Sequence, residues 1–322
     1  MAINLVHFEE SGRSRWGVVS GARIAPLAGD YPTTASLIEL GENDWRAARQ
    51  RDPTIDIHAV KILSPVTQPC RIYCQGANYR RHMIESGLDP DEKSFNMFFT
   101  KADASIASAR EDVARPALVK LLDYEIELAL VFRKSIHSAL EITPDMLADY
   151  VFAIAIANDL SARDVQLPQT QFFKGKSYRG FCPIGPFLTV LDRNEFSQVD
   201  ALELELAVNG APRQRDNTAN LVFKPAETIS ELSNFADINA GDVLLTGTPS
   251  GCALRVPPAP FRRLLQLLPE RRLWKLFIKA QLRRPQYLKP GDRITARIWS
   301  RDHAIDLGEQ ITRIIAGSPA AL

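Results

Sequence analysis

Cysteine is scarce: the 322 residues hold four, Cys70, Cys74, Cys182 and Cys252, and no two form a Cys-x-x-Cys pair. That pattern argues against a structural zinc site and against a disulfide-framed secreted scaffold, and it suits a reducing cytoplasm. Long apolar runs are missing as well. No stretch of about 18 uncharged apolar residues occurs, the length that a membrane-spanning helix requires. The opening residues, MAINLVHFEESGRSRWG, place acids where a signal peptide needs an apolar stretch, so a soluble, unexported, cytoplasmic protein is expected. Gly-x-Gly-x-x-Gly and Walker loops are absent, which leaves nucleotide-cofactor chemistry without support. Neither a solenoid repeat nor a low-complexity tract is present.

A charge excess of either sign is lacking too, with 39 Lys and Arg against 38 Asp and Glu. The hydrophobic share of 45% belongs to a folded chain, and this length buries a core without staples. Neutrality conceals one asymmetry. Between 255 and 284 stand Arg255, Arg262, Arg263, Arg271, Arg272, Lys275, Lys279, Arg283 and Arg284 against Glu270 alone, so the rest of the chain is net acidic.

Runs of strand length recur: Tyr124 to Phe132, Val151 to Asn158, Phe187 to Leu191, Leu202 to Val208, Val243 to Leu245 and Arg293 to Trp299. Trp16 to Ile24 reads as a hairpin around Ser20-Gly21, and Arg71 to Cys74 starts a further strand. Helical signals are fewer. Thr34 to Arg49 is one, Thr143-Pro144-Asp145 caps another, and Pro225 opens a third through Ile229, Leu232 and Phe235. The balance is a strand-rich α+β chain. Pro65 and Pro69 mark a boundary between a small β-rich N-terminal domain, residues 1–66, and a larger domain, residues 67–322.

In Leu122-Asp-Tyr-Glu-Ile-Glu-Leu128 acids and apolar residues alternate. On a strand this pattern sets Asp123, Glu125 and Glu127 on one face and Tyr124, Ile126 and Leu128 in the core. Carboxylates two apart converge readily on one cation, although a solvated outer strand face gives the same pattern. Asp159 tips the balance, because it ends the apolar run Val151 to Asn158, where a buried scaffold fixes a charged tip at a cleft. Oxygen donors without His or Cys select Mg²⁺ or Mn²⁺, with Ca²⁺ a third choice, over zinc.

Several segments together resemble the fumarylacetoacetate hydrolase family. They are Gly76-Ala-Asn-Tyr-Arg-Arg-His82-Met-Ile-Glu85, Phe99-Thr-Lys101, Asp123 to Leu128, and Asn158-Asp-Leu-Ser-Ala-Arg163-Asp-Val-Gln166. Gly175-Lys176-Ser177 with Pro183 to Pro186, Val208-Asn-Gly210, and Gly241 to Gly251 with its Thr-Gly-Thr-Pro complete the set, in the family's order. The resemblance implies a mixed β-roll catalytic domain, homodimeric as a rule, acting on small oxo acids. It implies Glu125, Glu127 and Asp159 as metal ligands, His82 and Glu85 as a water-activating dyad, and Lys176 as the cation beside a developing oxyanion. Thr248, Lys101, Arg163 and Gln166 follow as substrate contacts. Asn78 stands where the family's eukaryotic namesake has an aspartate, and Ala77 where many shorter relatives have arginine.

The activity so implied is divalent-metal-dependent hydrolysis of a carbon–carbon bond in an acylpyruvate or related β-diketo acid. A 2,4-dioxo acid offers two oxygens to one cation, and the enolate released keeps its charge beside it. The same enolate chemistry serves 2-oxo acid decarboxylases, isomerases and hydratases, and a non-catalytic binding protein is the alternative of another class. The basic stretch at about 255–286 reads as an insertion. From Arg271 to Arg284, Leu273, Leu276, Phe277 and Ala280 form an apolar stripe opposite Arg272, Lys275, Lys279 and Arg283. A peripheral hairpin, a lid over the site, and a surface for membrane or nucleic acid all suit it; no nucleic-acid partner is expected.

Overall fold

A computed structural model describes residues 2–92, 95–256 and 269–318; the apolar segment Phe261 to Leu268 lies outside the described residues. Two strands organise the site. Ile126–Phe132 and Val151–Asn158 are buried along their whole length, as continuous apolar runs demand, and they pair antiparallel with Ile126 opposite Asn158 and Glu127 opposite Ala157. Alternation divides their side chains between two cores. Ile126, Leu128, Leu130, Ile154 and Ile156 enter one, while Ala129, Val131, Phe152, Ala153 and Ala155 enter the other.

These strands lie inside a 13-stranded sheet. On one side Val151–Asn158 adjoins Phe187–Val190, which pairs in turn with the N-terminal strand Ile3–Glu10. On the other side Ile126–Phe132 adjoins Val243–Leu245, then Ile72–Gly76 in parallel, then Met97–Lys101. A five-stranded sheet runs in the order Ala211–Asn217, Glu203–Val208, Arg293–Trp299, Asp306–Ala316, Val113–Arg115. Its inward residues Leu204, Leu206, Ile294, Ala296 and Ile314 share a core with Ile126, Leu128 and Ile156. The opposite core holds Leu5, Trp16, Val18, Leu37 and Trp45. The fold is the strand-rich α+β arrangement that the sequence pattern predicts.

Several elements differ from the pattern reading. Thr34 to Arg49 is two helices, Thr34–Leu40 and Glu42–Ala48. Gly41 separates them, its N–H donating to the Leu37 carbonyl, in keeping with glycine's low helix propensity. The Tyr124 to Phe132 strand is interrupted. Leu122–Asp123 pairs with Ser161–Ala162, and the ladder of Ile126–Phe132 begins only after Glu125. There the Glu125 amide donates to Asn158 Oδ1 and the Ile126 amide to Gln214 Oε1, so side chains replace the ladder partner. The basic helix is Glu270–Gln281, and its inward residues are Leu273, Trp274, Phe277, Ile278 and Gln281; Leu276 and Ala280 of the expected stripe are exposed. Among the described residues no helix is long and apolar enough to cross a membrane.

Candidate active site

The acidic residues of the site stand at the ends of buried strands. The strand register brings Glu125 and Glu127, at the start of one strand, beside Asp159, just past the end of its neighbour; the Asp159 amide donates to the Glu125 carbonyl at 2.8 Å. One carboxylate oxygen from each of Glu125, Glu127 and Asp159 lies within 4.8 Å of the others. These residues are 4%, 2% and 0% exposed, which rules out the solvated-face reading of the Glu-x-Glu pattern. Asp123 does not join them. Its carboxylate accepts from Arg163 Nε at 2.9 Å and from the amides of Tyr124, Ala253 and Leu254, tying the segment after Gly251 to the strand.

Three buried cations complete the centre. Lys176 Nζ pairs with Glu125 Oε2 at 2.5 Å and also with Asp159 Oδ2. Arg163 bridges Asp123 and Glu125, and its Nη1 donates to Gln166 Oε1 at 2.8 Å. Lys101, at the end of Met97–Lys101, pairs with Asp159 Oδ1 at 2.6 Å and donates to the Phe181 carbonyl at 3.0 Å. It sits behind Asp159, outside the cavity wall. Gly175 explains how Lys176 gets in: a Cβ there would lie 2.6 Å from Gln166 Cβ and 2.9 Å from the Gln166 backbone.

Glu127 is different. Its Oε2 accepts the Gly247 amide at 2.7 Å, and among the described residues no cation makes an ion pair with it. Burial, then Asp159 and Glu125, push its carboxyl well above the usual range. Burial raises Glu125 as well, but Arg163, Lys176 and His82 outweigh that and hold it below the usual range. Lys176 is held above its ordinary value because Asp159 and Glu125 overcome the cost of burial. The donor set fits a hard divalent cation: all three groups are oxygen donors, all are buried, and Glu127 is a carboxylate left without a contacting positive charge.

Helix Arg80–Glu85 follows strand Ile72–Gly76 and carries His82. A ring nitrogen of His82 lies within 4.8 Å of a Glu125 oxygen and of Cys252 Sγ. Burial lowers the imidazole pKa below its ordinary value, with Glu125 acting in the other direction, and the buried Nδ1 has no hydrogen-bond partner among the described residues. Glu85, one turn on, is engaged elsewhere, paired with Arg255 Nη1 at 2.6 Å and accepting the Gly251 amide at 3.2 Å. Asn78 is a staple: its Nδ2 donates to the Phe223 and Thr246 carbonyls and its Oδ1 accepts the Phe223 amide.

A cavity of about 220 Å³ opens beside the centre, with Asp159 and Glu85 outside its lining. His82, Glu125, Glu127, Arg163, Gln166, Lys176 and Thr248 line its polar side, and Met97, Phe99, Leu167 and Phe172 its apolar side. Thr248 is fixed by Gln214 Nε2 at 2.8 Å. Pattern reading missed Asn158, Gln214, Cys252 and Arg255. Asn158 directly precedes Asp159, whereas nothing local marks Gln214 on its distant strand.

Residues 71–315 match the family described as Fumarylacetoacetate (FAA) hydrolase C-terminal. The oxaloacetate tautomerase YisK of Bacillus subtilis is 37% identical over 206 residues, covering 63% of this chain and 67% of that protein. The mitochondrial oxaloacetate tautomerase Fahd2a of Rattus norvegicus is 34% identical over 233 residues, 70% of this chain and 72% of that one. Among solved structures, maleylpyruvate hydrolase from Sphingobium sp. SYK-6, in complex with manganese(II) ion and pyruvate, shares the fold at a TM-score of 0.71 and 23% identity, covering 98% of this chain and 100% of that one. The chain belongs to the fumarylacetoacetate hydrolase family and is an enzyme of that family.

Proposed function

We propose that the enzyme is a divalent-cation-dependent tautomerase that interconverts the keto and enol forms of oxaloacetate or a like 2-oxo diacid. The observation that carries this reading is the state of His82. It lines the same cavity as Glu125, Glu127 and Lys176, yet no hydrogen bond among the described residues joins it to Glu85. A base that moves a proton on and off carbon needs no dyad to activate water. The tautomerase relatives support the same reading.

Glu125, Glu127 and Asp159 would hold the cation, which when bound favours the enolate by Lewis acidity. Charge explains why an anionic substrate requires it. Four buried carboxylates, with Asp123 included, face three buried cations, and Glu127 is pushed towards its protonated form, so the centre offers no net positive charge until a divalent ion supplies it. Burial keeps His82 neutral near pH 7, so it accepts the C3 proton; the C–H electron pair forms the C2–C3 double bond and the carbonyl pair moves onto O2. The Lys176 ammonium lies beside this charge, and the proton passes to O2 to complete the enol. Arg163, Gln166 and Thr248 orient the carboxylates, and Lys101 acts as a positioning residue that holds Asp159.

Carbon–carbon hydrolysis, the activity first expected, requires Glu85 to leave Arg255 for His82. The deciding experiment follows the enol absorbance of oxaloacetate with Mg²⁺, with Mn²⁺ and with chelator, beside an acylpyruvate cleavage assay. Metal-dependent tautomerisation well above the solution rate supports the reading. Cleavage of acylpyruvates with tautomerisation at the background rate overturns it in favour of a hydrolase.

A further inference from the structure

A second recess, of about 310 Å³, lies where the chain leaves the basic helix and meets strand Val113–Arg115. Arg115, Lys120, Arg284 and Lys289 line it, and no acidic residue does. Among the described residues none of the four makes an ion pair. It shares no lining residue with the oxo-acid cavity.

The two arginines are oriented in advance. Arg115 Nη1 donates to the Leu288 carbonyl at 3.2 Å and Arg284 Nε to the Ala253 carbonyl at 3.0 Å. A guanidinium has five N–H groups, so each retains a fork for a ligand at no further ordering cost. Tyr287, also in the lining, is buried, and its hydroxyl donates to Gln281 Oε1 at 2.8 Å, which holds that wall to the basic helix. Four like charges around one recess repel, and a bound anion relieves that repulsion.

We propose that this recess is a second binding site, for a small polyanion that presents closely spaced phosphate or carboxylate oxygens to two arginine forks and two lysines. The test is calorimetric titration of the full chain with pyrophosphate, in chelator and at low salt. Lys120 and Lys289 are exposed and hold no other element in place, so Lys120→Gln/Lys289→Gln is the informative variant. The wild-type chain is expected to bind pyrophosphate saturably, the double variant to bind at least about tenfold more weakly with an unchanged melting temperature, and added salt to weaken both. Equal affinity in the two proteins would place pyrophosphate elsewhere and overturn the proposal, as would the absence of saturable binding to the wild type.

Discussion

Asp159 and Glu125 are joined by backbone before they are joined by charge: the Asp159 amide donates to the Glu125 carbonyl at 2.8 Å, and Lys176 then spans their two carboxylates. The strand register thus builds the acidic cluster, and the cations are added to it from Met97–Lys101, Arg163–Gln169 and Phe172–Lys176. Disturbing the cluster and disturbing its cations have different consequences.

Glu127→Gln removes a carboxylate that has no contacting cation while keeping an acceptor for the Gly247 amide. In chelator the variant is expected to be more stable than the wild type by about 1 kcal/mol, because the Glu127 carboxyl, pushed up by burial and its acidic neighbours, must take up a proton on folding and the amide need not. In excess Mn²⁺ the order reverses, since stabilisation by the ion requires binding. Thermal melting with and without metal checks both signs.

Lys101→Met acts in the opposite way. Lys101 and Asp159 are fully buried and 2.6 Å apart, so the variant strands Asp159 on that side. A loss of about 3 kcal/mol is expected by urea unfolding. Arg193 and Asp149 form an exposed pair, and Arg193→Gln is expected to leave the unfolding midpoint unchanged in the same experiment.

His82→Ala is expected to lower tautomerisation turnover by about 10²- to 10⁴-fold, the usual contribution of a general base. Glu85→Gln, whose carboxylate serves Arg255 and Gly251, is expected to leave turnover within about threefold. Steady-state kinetics of the two variants separate a lone base from a dyad, because a dyad loses comparable activity from either.

His7 gives the fold a pH dependence remote from the site. Its Nδ1 donates to the Ser64 carbonyl at 2.8 Å, its ring stacks on Trp16 with centroids 4.5 Å apart, and burial lowers its pKa below 6.5. The unfolded chain therefore takes up a proton before the folded one does. This contribution is intact above pH 6.5 and is lost as pH falls towards the folded value. The slope of unfolding free energy between pH 7 and pH 5 is expected to flatten in His7→Phe, which keeps the stack and loses the titration.

Much of this architecture is readable in the chain. Val151–Asn158, Val243–Leu245 and Arg293–Trp299 have the bounds that their apolar and alternating patterns give, because each strand's burial depends on its own residues. The gathering of Glu125, Glu127 and Asp159 was legible through the family resemblance and the position of Asp159 at a strand end. What was not legible depends on partners far away in sequence. The break at Glu125 exists because Asn158 and Gln214 side chains satisfy two amides. Lys101 lies under Asp159, 58 residues on, and Arg255 reaches Glu85 across the segment after the Thr-Gly-Thr-Pro turn. On the basic helix Leu273 and Phe277 of the expected stripe are half-buried, but Trp274 and Ile278 take the places expected of Leu276 and Ala280, because the inward face depends on neighbours that a stripe of hydrophobicity does not encode.

The most direct test of the metal centre is anomalous X-ray diffraction from crystals of the chain soaked in Mn²⁺. One strong peak bonded to oxygens of Glu125, Glu127 and Asp159, and lost in Glu127→Gln, is the predicted result. Manganese bound elsewhere, with these three carboxylates free of it, would contradict the account.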